Sequence, residues 1–179
     1  MSGSWTALRG WVEAVRRNHG VEHATVAVLF ARRGPQRIAG RAANDGFFII
    51  GAVDDGLLLS CAREALDRMQ RGERELAVSP HCGTNILVTA ALSTLATANA
   101  LSQGSGQPGR AAQPGRPGRP LRDRLGNAFT ASIFAIIAAQ PLGRLLQRMV
   151  TTSADVQDME IVEVRTYLPG VRKVITRGA

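Results

Sequence analysis

Two of the protein's three histidines lie four residues apart, with a glutamate between them, in Asn18-His19-Gly20-Val21-Glu22-His23. On an α-helix, side chains four residues apart are separated by about 40° around the axis and about 6 Å along it. Both imidazoles can therefore face one metal ion. The order H-x-x-E-H is the reverse of the commoner zinc-helix motif H-E-x-x-H. It predicts His19 and His23 as metal ligands and Glu22 as the general base of a hydrolytic site.

The third histidine, His81, precedes a cysteine in Ser79-Pro80-His81-Cys82-Gly83-Thr84-Asn85. A catalytic zinc ion takes three protein ligands, which include imidazole nitrogen and thiolate sulfur. Because adjacent residues rarely bind the same ion, we expect either His81 or Cys82 to be the third ligand. The expected cofactor is Zn²⁺ or another divalent metal. In the competing interpretation, Asn18 caps a helix and the two upstream histidines are ordinary polar residues in its first turn.

The two segments together, the second followed by an apolar helix, resemble a bacterial membrane-associated family of unknown function with paired H-G-x-E-H and P-x-C-G-T-N motifs. That resemblance runs along most of the chain outside residues 102–124. The motifs alone are also similar to YqhQ-like membrane proteins, which are described as predicted metal-dependent enzymes; Ser79 stands where their pattern has histidine. A similarity to pitrilysin-type peptidases is limited to H-x-x-E-H. It would require a downstream glutamate ligand, for which Glu73 and Glu75 are candidates by rough distance.

One helix is expected to precede the first motif and a second to carry it. Residues 4–17 place Trp5, Leu8, Val12 and Val15 on one stripe, with arginines facing away. Such a helix suits either a membrane interface or packing on its own domain. Residues 19–32 are apolar on nearly every side, which predicts a buried helix. A strand over 25–30 is the alternative, because the segment contains β-branched residues.

Two hairpins and a further helix are expected around this region. Residues 37–52 predict a hairpin that turns at Asn44-Asp45-Gly46. Asp54 or Asp55 then caps a helix that reaches Gln70 and buries Cys61 as a small hydrophobe. Residues 75–78 predict a short strand. Residues 159–166 and 171–176 predict a terminal hairpin that joins the same sheet.

Two uncharged segments, 83–101 and 126–143, are each long enough to approach the ~18–20 residues that cross a bilayer. We expect them to form a transmembrane hairpin, and two buried helices of a soluble core are the alternative. Between them, residues 102–124 are rich in Gly, Pro and Arg, which predicts a flexible linker. The predicted fold is therefore α+β, with an N-terminal metal-motif region over 1–82, two apolar helices over 83–147 and a C-terminal hairpin over 148–179.

The net charge is +8, yet aromatic residues make up only 4% of the chain. Binding to nucleic acid is disfavoured, because the chain has few aromatic residues to stack on bases in a basic groove. Membrane lipid is the expected partner. Two cysteines do not form a disulfide framework, and we expect no cleaved signal peptide. We therefore expect a cell-membrane location with the metal motif at the cytoplasmic face.

These expectations combine into a membrane-associated metal-binding protein with a zinc-dependent, peptidase-like hydrolase site. The alternative is a non-enzymatic membrane protein in which the histidines and cysteine are structural.

Overall fold

The computed structural model describes residues 2–80, 82–102 and 120–178. His81 and most of the expected linker therefore lie outside the described residues. The chain divides into two compact units. We call Met1–Cys82 with Leu146–Ala179 the αβ unit, and Gly83–Leu145 the helical unit.

Helix α1, Ser2–Arg33, is the longest element of the αβ unit. It replaces the two helices expected over 4–17 and 19–32, and the strand alternative over 25–30 is wrong. Helix α1 continues through Gly20. Glycine at this position lets another segment approach closely, since a Cβ would overlap the carbonyl oxygen of Ser153. The helix ends at Arg33, one residue beyond the predicted 19–32, and Gly34, with a φ of +75°, closes the last turn.

Four antiparallel strands form one sheet in the order β1-β2-β4-β3. Strands β1, Ala39–Ala43, and β2, Gly46–Ile50, form the hairpin predicted over 37–52, with each strand two residues shorter at its outer end. Strands β3, Glu160–Leu168, and β4, Val171–Arg177, form the second hairpin. Strand β4 pairs with β2, with Phe47 opposite Val174, so both hairpins belong to one sheet.

Helix α2, Asp55–Gln70, begins as predicted, because the Asp54 side chain accepts a hydrogen bond of 2.9 Å from the backbone N–H of Leu57. Cys61 is fully buried on its inner face. The strand expected over 75–78 is wrong. The chain instead forms a 3₁₀ turn, Arg74–Ala77, because local bonds such as Val78 N–H to Glu75 O, 3.1 Å, close it.

The core of the αβ unit is built from α1, α2 and the sheet. A buried polar contact joins these layers: Asn18 donates to the Ala43 carbonyl at 3.0 Å and accepts from the Thr176 hydroxyl at 2.7 Å. The largest fully buried apolar side chains are Phe47, Leu29, Ile49, Leu58, Met69, Val21, Val28, Val156 and Val174.

The helical unit consists of α3, Gly83–Ser102, and most of α4, Leu121–Leu146. The linker prediction is wrong at its C-terminal end, because residues 121–124 form the first turn of α4 after Pro120. Helix α4 continues past the uncharged segment 126–143, to Leu146 and into a π turn, Gln147–Thr151. Gly143 lies within α4. Its bare Cα packs against Asn85 of α3, where a Cβ would overlap the Asn85 side chain.

Both apolar helices are long and apolar enough to cross a bilayer, by length and composition alone. Only 6% of the apolar window in α3 and 11% of that in the span Leu121–Thr151 is buried. Polar side chains join the helices, at Asn85 to Gln140, 3.1 Å, and Thr97 to Ser132, 2.6 Å. Large apolar side chains point outward instead, including Ile86, Leu87, Leu95, Phe129, Phe134 and Ile137.

Candidate metal centre

Helix α1 places His19 and His23 on one face, as the four-residue spacing predicts. The centroids of the two imidazole rings lie 4.4 Å apart, and the ring planes are inclined at 58°. His23 is buried and His19 is half-buried. The two rings therefore form a pair that is largely enclosed by the αβ unit.

Backbone carbonyls from two other segments hold these rings. The Nδ1 atom of His19 lies 2.9 Å from the carbonyl oxygen of Thr151, and the Nδ1 atom of His23 lies 2.8 Å from that of Ala77. Because a carbonyl oxygen can only accept, each Nδ1 carries the proton. In the neutral ring, Nε2 then holds the free lone pair. This is the arrangement in which metal-binding histidines are usually oriented.

Cys82 completes a group of three candidate ligands. Its Sγ lies 3.6 Å from Nε2 of His19. One ligand atom from each of His19, His23 and Cys82 can be chosen so that all three lie within 4.8 Å of one another. In a tetrahedral zinc site, the Zn–N and Zn–S bond lengths imply ligand-to-ligand separations of about 3.3–3.8 Å. The three residues are therefore a candidate zinc site, whose ligand atoms would have to approach one another by up to about 1 Å. His81, the competing third ligand, lies outside the described residues.

Gln147 connects the segment before Cys82 to the π turn. Its side-chain oxygen accepts from the backbone N–H of Ser79 at 2.9 Å, and its side-chain nitrogen donates to the Ser79 carbonyl at 2.9 Å. Its own carbonyl accepts from both the backbone N–H and the hydroxyl of Thr152, at 2.9 and 3.0 Å. Gln147 is fully buried. One residue thus positions both the chain leading to Cys82 and the turn that presents the Thr151 carbonyl.

Sequence reasoning missed Gln147, Thr151 and Ala77. The last two act through backbone carbonyls, which every residue has, so their side chains carry no signal. Gln147 offered a weak one, since a single amide follows the apolar run that ends α4. The π turn that exposes these groups is a feature that often marks functional sites.

Glu22 is 6% exposed, and its carboxylate packs against the bare Cα of Gly40 on β1. Burial raises the pKa of this carboxyl above its ordinary 4.5, and the opposing influence of His19 and His23 is smaller. Among the residues that the structure describes, none donates a hydrogen bond to it. The structure therefore places a poorly solvated carboxyl one helical turn from His19.

Several influences act on His19. Burial is the largest and lowers its pKa, but the hydrogen bonds to Cys82 and to the Thr151 carbonyl, with the negative charge of Glu22, together raise the pKa above 6.5. A proton therefore competes with a metal ion for the Nε2 lone pair of His19.

A cleft of about 290 Å³ is bordered by Ala77, whose carbonyl holds the His23 ring. Its lining includes Ala77, Thr152, Arg74, Arg148 and Glu75. The glutamates considered as downstream ligands do not belong to the three-residue group: Glu75 lines this cleft, and Glu73 binds Arg68 at 3.0 Å through Oε2.

Residues 14–164 match a family model described as a domain of unknown function, DUF6391. The chain belongs to this family. The match includes His19, Glu22, His23 and Cys82. An uncharacterised protein of Picosynechococcus sp. strain PCC 7002 is 34% identical over 151 residues, which cover 78% of this chain and 66% of that relative. The chain thus spans just under two thirds of the relative's length. No solved structure significantly matches this chain.

Proposed function

We propose that this protein is membrane-associated and binds one divalent metal ion through His19, His23 and Cys82, with Glu22 as the general base of a hydrolytic reaction. The observation that carries the proposal is the arrangement of the two imidazoles. Each Nδ1 is held by a backbone carbonyl, and the ligand atoms of both rings lie close to Cys82 Sγ.

Zinc suits these ligands best. Imidazole and thiolate together select borderline-soft metals such as zinc over magnesium or calcium, which prefer oxygen ligands. When bound, zinc supplies Lewis acidity and lowers the pKa of a water ligand to about 7. Three protein ligands leave a fourth position open, which is the pattern of catalytic rather than structural zinc.

Glu22 supplies the proton-transfer group. A carboxyl whose pKa is raised by burial holds and releases a proton closer to neutral pH than an ordinary glutamate does. In the proposed reaction, a carboxylate oxygen of Glu22 accepts a proton from the attacking water and delivers it to the leaving group. Because H-x-x-E-H is also the order found in a group of zinc peptidases, an amide bond is the proposed substrate class.

The membrane association rests on the helical unit. Its helices expose large apolar side chains and turn polar groups such as Thr97 and Ser132 toward each other. Small residues allow such close packing between membrane helices. Burial of only 6% and 11% of the apolar windows argues against two core helices of a soluble protein. The proposed location of the metal site is at the cytoplasmic face, where thiols stay reduced.

The first experiment measures metal content. The full chain, purified in detergent without chelators, is expected to contain about one zinc per chain by elemental analysis. His19→Ala, His23→Ala and Cys82→Ser should each lose the metal, and Cys61→Ser, a second buried cysteine away from the group, should retain it. Metal-free wild-type protein that also fails to take up added zinc would overturn the proposal.

The second experiment separates chemistry from metal binding. Glu22→Gln should keep the metal and lose cleavage of a fluorescence-quenched peptide library by at least a hundredfold, the lower range for a general base. Equal turnover by wild type and Glu22→Gln would remove Glu22 from the role of base.

A non-enzymatic role is the second candidate, and one contact favours it. Cys82 and His19 already satisfy each other at 3.6 Å inside a largely buried group, as expected of a structural cluster. The two candidates differ in the fourth position. Azide should change the spectrum of the cobalt-substituted protein if that position is open. An unchanged spectrum in wild type that becomes azide-sensitive in His81→Ala would show a site closed by His81, and hence a structural role.

A further inference from the structure

The N-terminal part of α1 carries an exposed apolar stripe, Trp5, Leu8, Trp11 and Val12. These side chains are 66%, 50%, 54% and 41% exposed. At about 100° per residue, they occupy a sector of about 120° on the helix surface. Ala14, which is buried, points away from the centre of this sector. A continuous stripe of this size on one helix face indicates a binding surface.

Basic side chains border the stripe. Residues 2–17 contain three arginines and one glutamate, a net charge of +2. Glu13 lies within 4 Å of both Arg16 and Arg17, at 2.9 and 3.8 Å, and Arg17 also pairs with Asp155 at 3.2 Å. Arg9, beside Leu8, makes no ion pair with any residue that the structure describes. Arg9 therefore leaves one uncompensated positive charge beside the stripe, which complements an anionic partner.

We infer that this stripe docks into the interfacial layer of an anionic phospholipid bilayer. Tryptophan is enriched at that depth, because its ring is apolar and its N–H is polar. Apolar side chains on one face with arginine beside them are the pattern of helices that lie in a membrane surface. The inference extends the proposed membrane association, on which it rests, by adding a contact separate from the apolar helices α3 and α4.

Binding to vesicles alone cannot test the inference, since α3 and α4 would hold the protein in a bilayer without the stripe. The tryptophans provide a local probe. Both of the protein's tryptophans, Trp5 and Trp11, lie in the stripe. All tryptophan emission therefore reports the surroundings of this stripe.

The test uses the full chain reconstituted in phosphatidylcholine–phosphatidylglycerol vesicles that contain brominated lipid. Tryptophan emission is expected to shift to the blue and to be quenched by the bromine, while aqueous iodide loses most of its effect. Replacing phosphatidylglycerol by phosphatidylcholine should weaken docking by roughly fivefold per unpaired arginine, and Arg9→Gln should do the same.

Two variants test whether the stripe itself is responsible. Leu8→Glu and Val12→Glu should restore quenching by iodide and abolish quenching by brominated lipid. The matched control is Leu168→Glu, at a more exposed leucine (64%, against 50% for Leu8) at the end of β3, which should leave both unchanged. Circular dichroism checks that each variant retains its helix content.

Three outcomes would overturn the inference. The first is emission that iodide quenches equally in vesicles and in urea. The second is a blue shift without bromine quenching in a sample that sediments as a dimer, which would assign the stripe to a second copy. The third is bromine quenching that Leu8→Glu leaves intact. Zinc content measured on the same samples shows separately whether the proposed metal site is present.

Discussion

The thiol of Cys82 lies 3.6 Å from Nε2 of His19, although 63 residues separate the two in the chain. Two features produce this contact. Helix α1 is continuous through Gly20, so His19 keeps its place one turn before His23. The segment before Cys82 is held by Gln147.

Cobalt in place of zinc should show the thiolate ligand directly. The cobalt-loaded protein is expected to have a sulfur-to-metal charge-transfer band in the near ultraviolet, since Cys82 must bind as thiolate. Cys82→Ser should lose this band, and Cys61→Ser should keep it. A band of unchanged intensity in Cys82→Ser would mean that sulfur is not a ligand at this position.

Gln147→Leu should weaken zinc binding by about 10–100-fold without removing a ligand, as is usual when a residue that orients metal ligands is lost. The measurement is competition with a chromophoric chelator. Gln70→Leu is the matched control: Gln70 also clamps backbone carbonyls, of Val156 and Met159 at 3.0 Å, but away from the site. Equal loss of affinity in both variants would indicate general destabilisation and contradict a positioning role.

Gly40→Ala should destabilise the αβ unit by about 1–3 kcal/mol, because the added methyl overlaps the Glu22 carboxylate. Adding Glu22→Ala should recover most of that loss, since the smaller side chain vacates the space. Thermal unfolding of the two single variants and the double variant completes a double-mutant cycle. Gly10→Ala is the control, as a Cβ there meets nothing within 4 Å. If the stability losses of Gly40→Ala and Glu22→Ala simply add in the double variant, contact with Glu22 is not the cause of the loss in Gly40→Ala.

Asp45→Asn should cost stability in a pH-dependent manner. Lys173 Nζ lies 2.6 Å from the Asp45 carboxylate, and this hydrogen bond holds the pKa of Asp45 below its ordinary 3.8. A lowered folded-state pKa stabilises the fold above the unfolded-state value, and the effect is lost as pH falls through the folded-state value. Because the Asp45 side chain is 55% exposed, solvent screens the pair, and we expect about 1 kcal/mol or less at neutral pH.

The measurement is urea unfolding of wild type and Asp45→Asn between neutral pH and pH 2. The stability difference should stay constant above about pH 5 and vanish at the acid end. Asp158→Asn is a control, since this exposed aspartate makes no ion pair with any residue that the structure describes. A difference that persists at the lowest pH would mean that the amide changes the turn by some route other than charge.

Features that depend on neighbouring residues could be predicted from the sequence. The spacing of His19 and His23 identified a shared helix face, because the helical repeat is a property of neighbouring residues. The cap at Asp54 and the turn at Asn44-Asp45-Gly46 were readable for the same reason. Each depends on interactions within a few residues.

Only the tertiary structure decided the rest. The strand expected over 75–78 became a 3₁₀ turn that presents the Ala77 carbonyl to His23. The Thr151 carbonyl, the clamp of Gln147 and the packing of Glu22 on Gly40 also join segments that are distant in sequence. Such contacts cannot be predicted from residue types, because every residue has a backbone carbonyl. The direction of each carbonyl follows from the packing of the whole αβ unit. The sequence by itself thus determined which side chains could bind a metal, whereas the fold determined how their lone pairs are oriented.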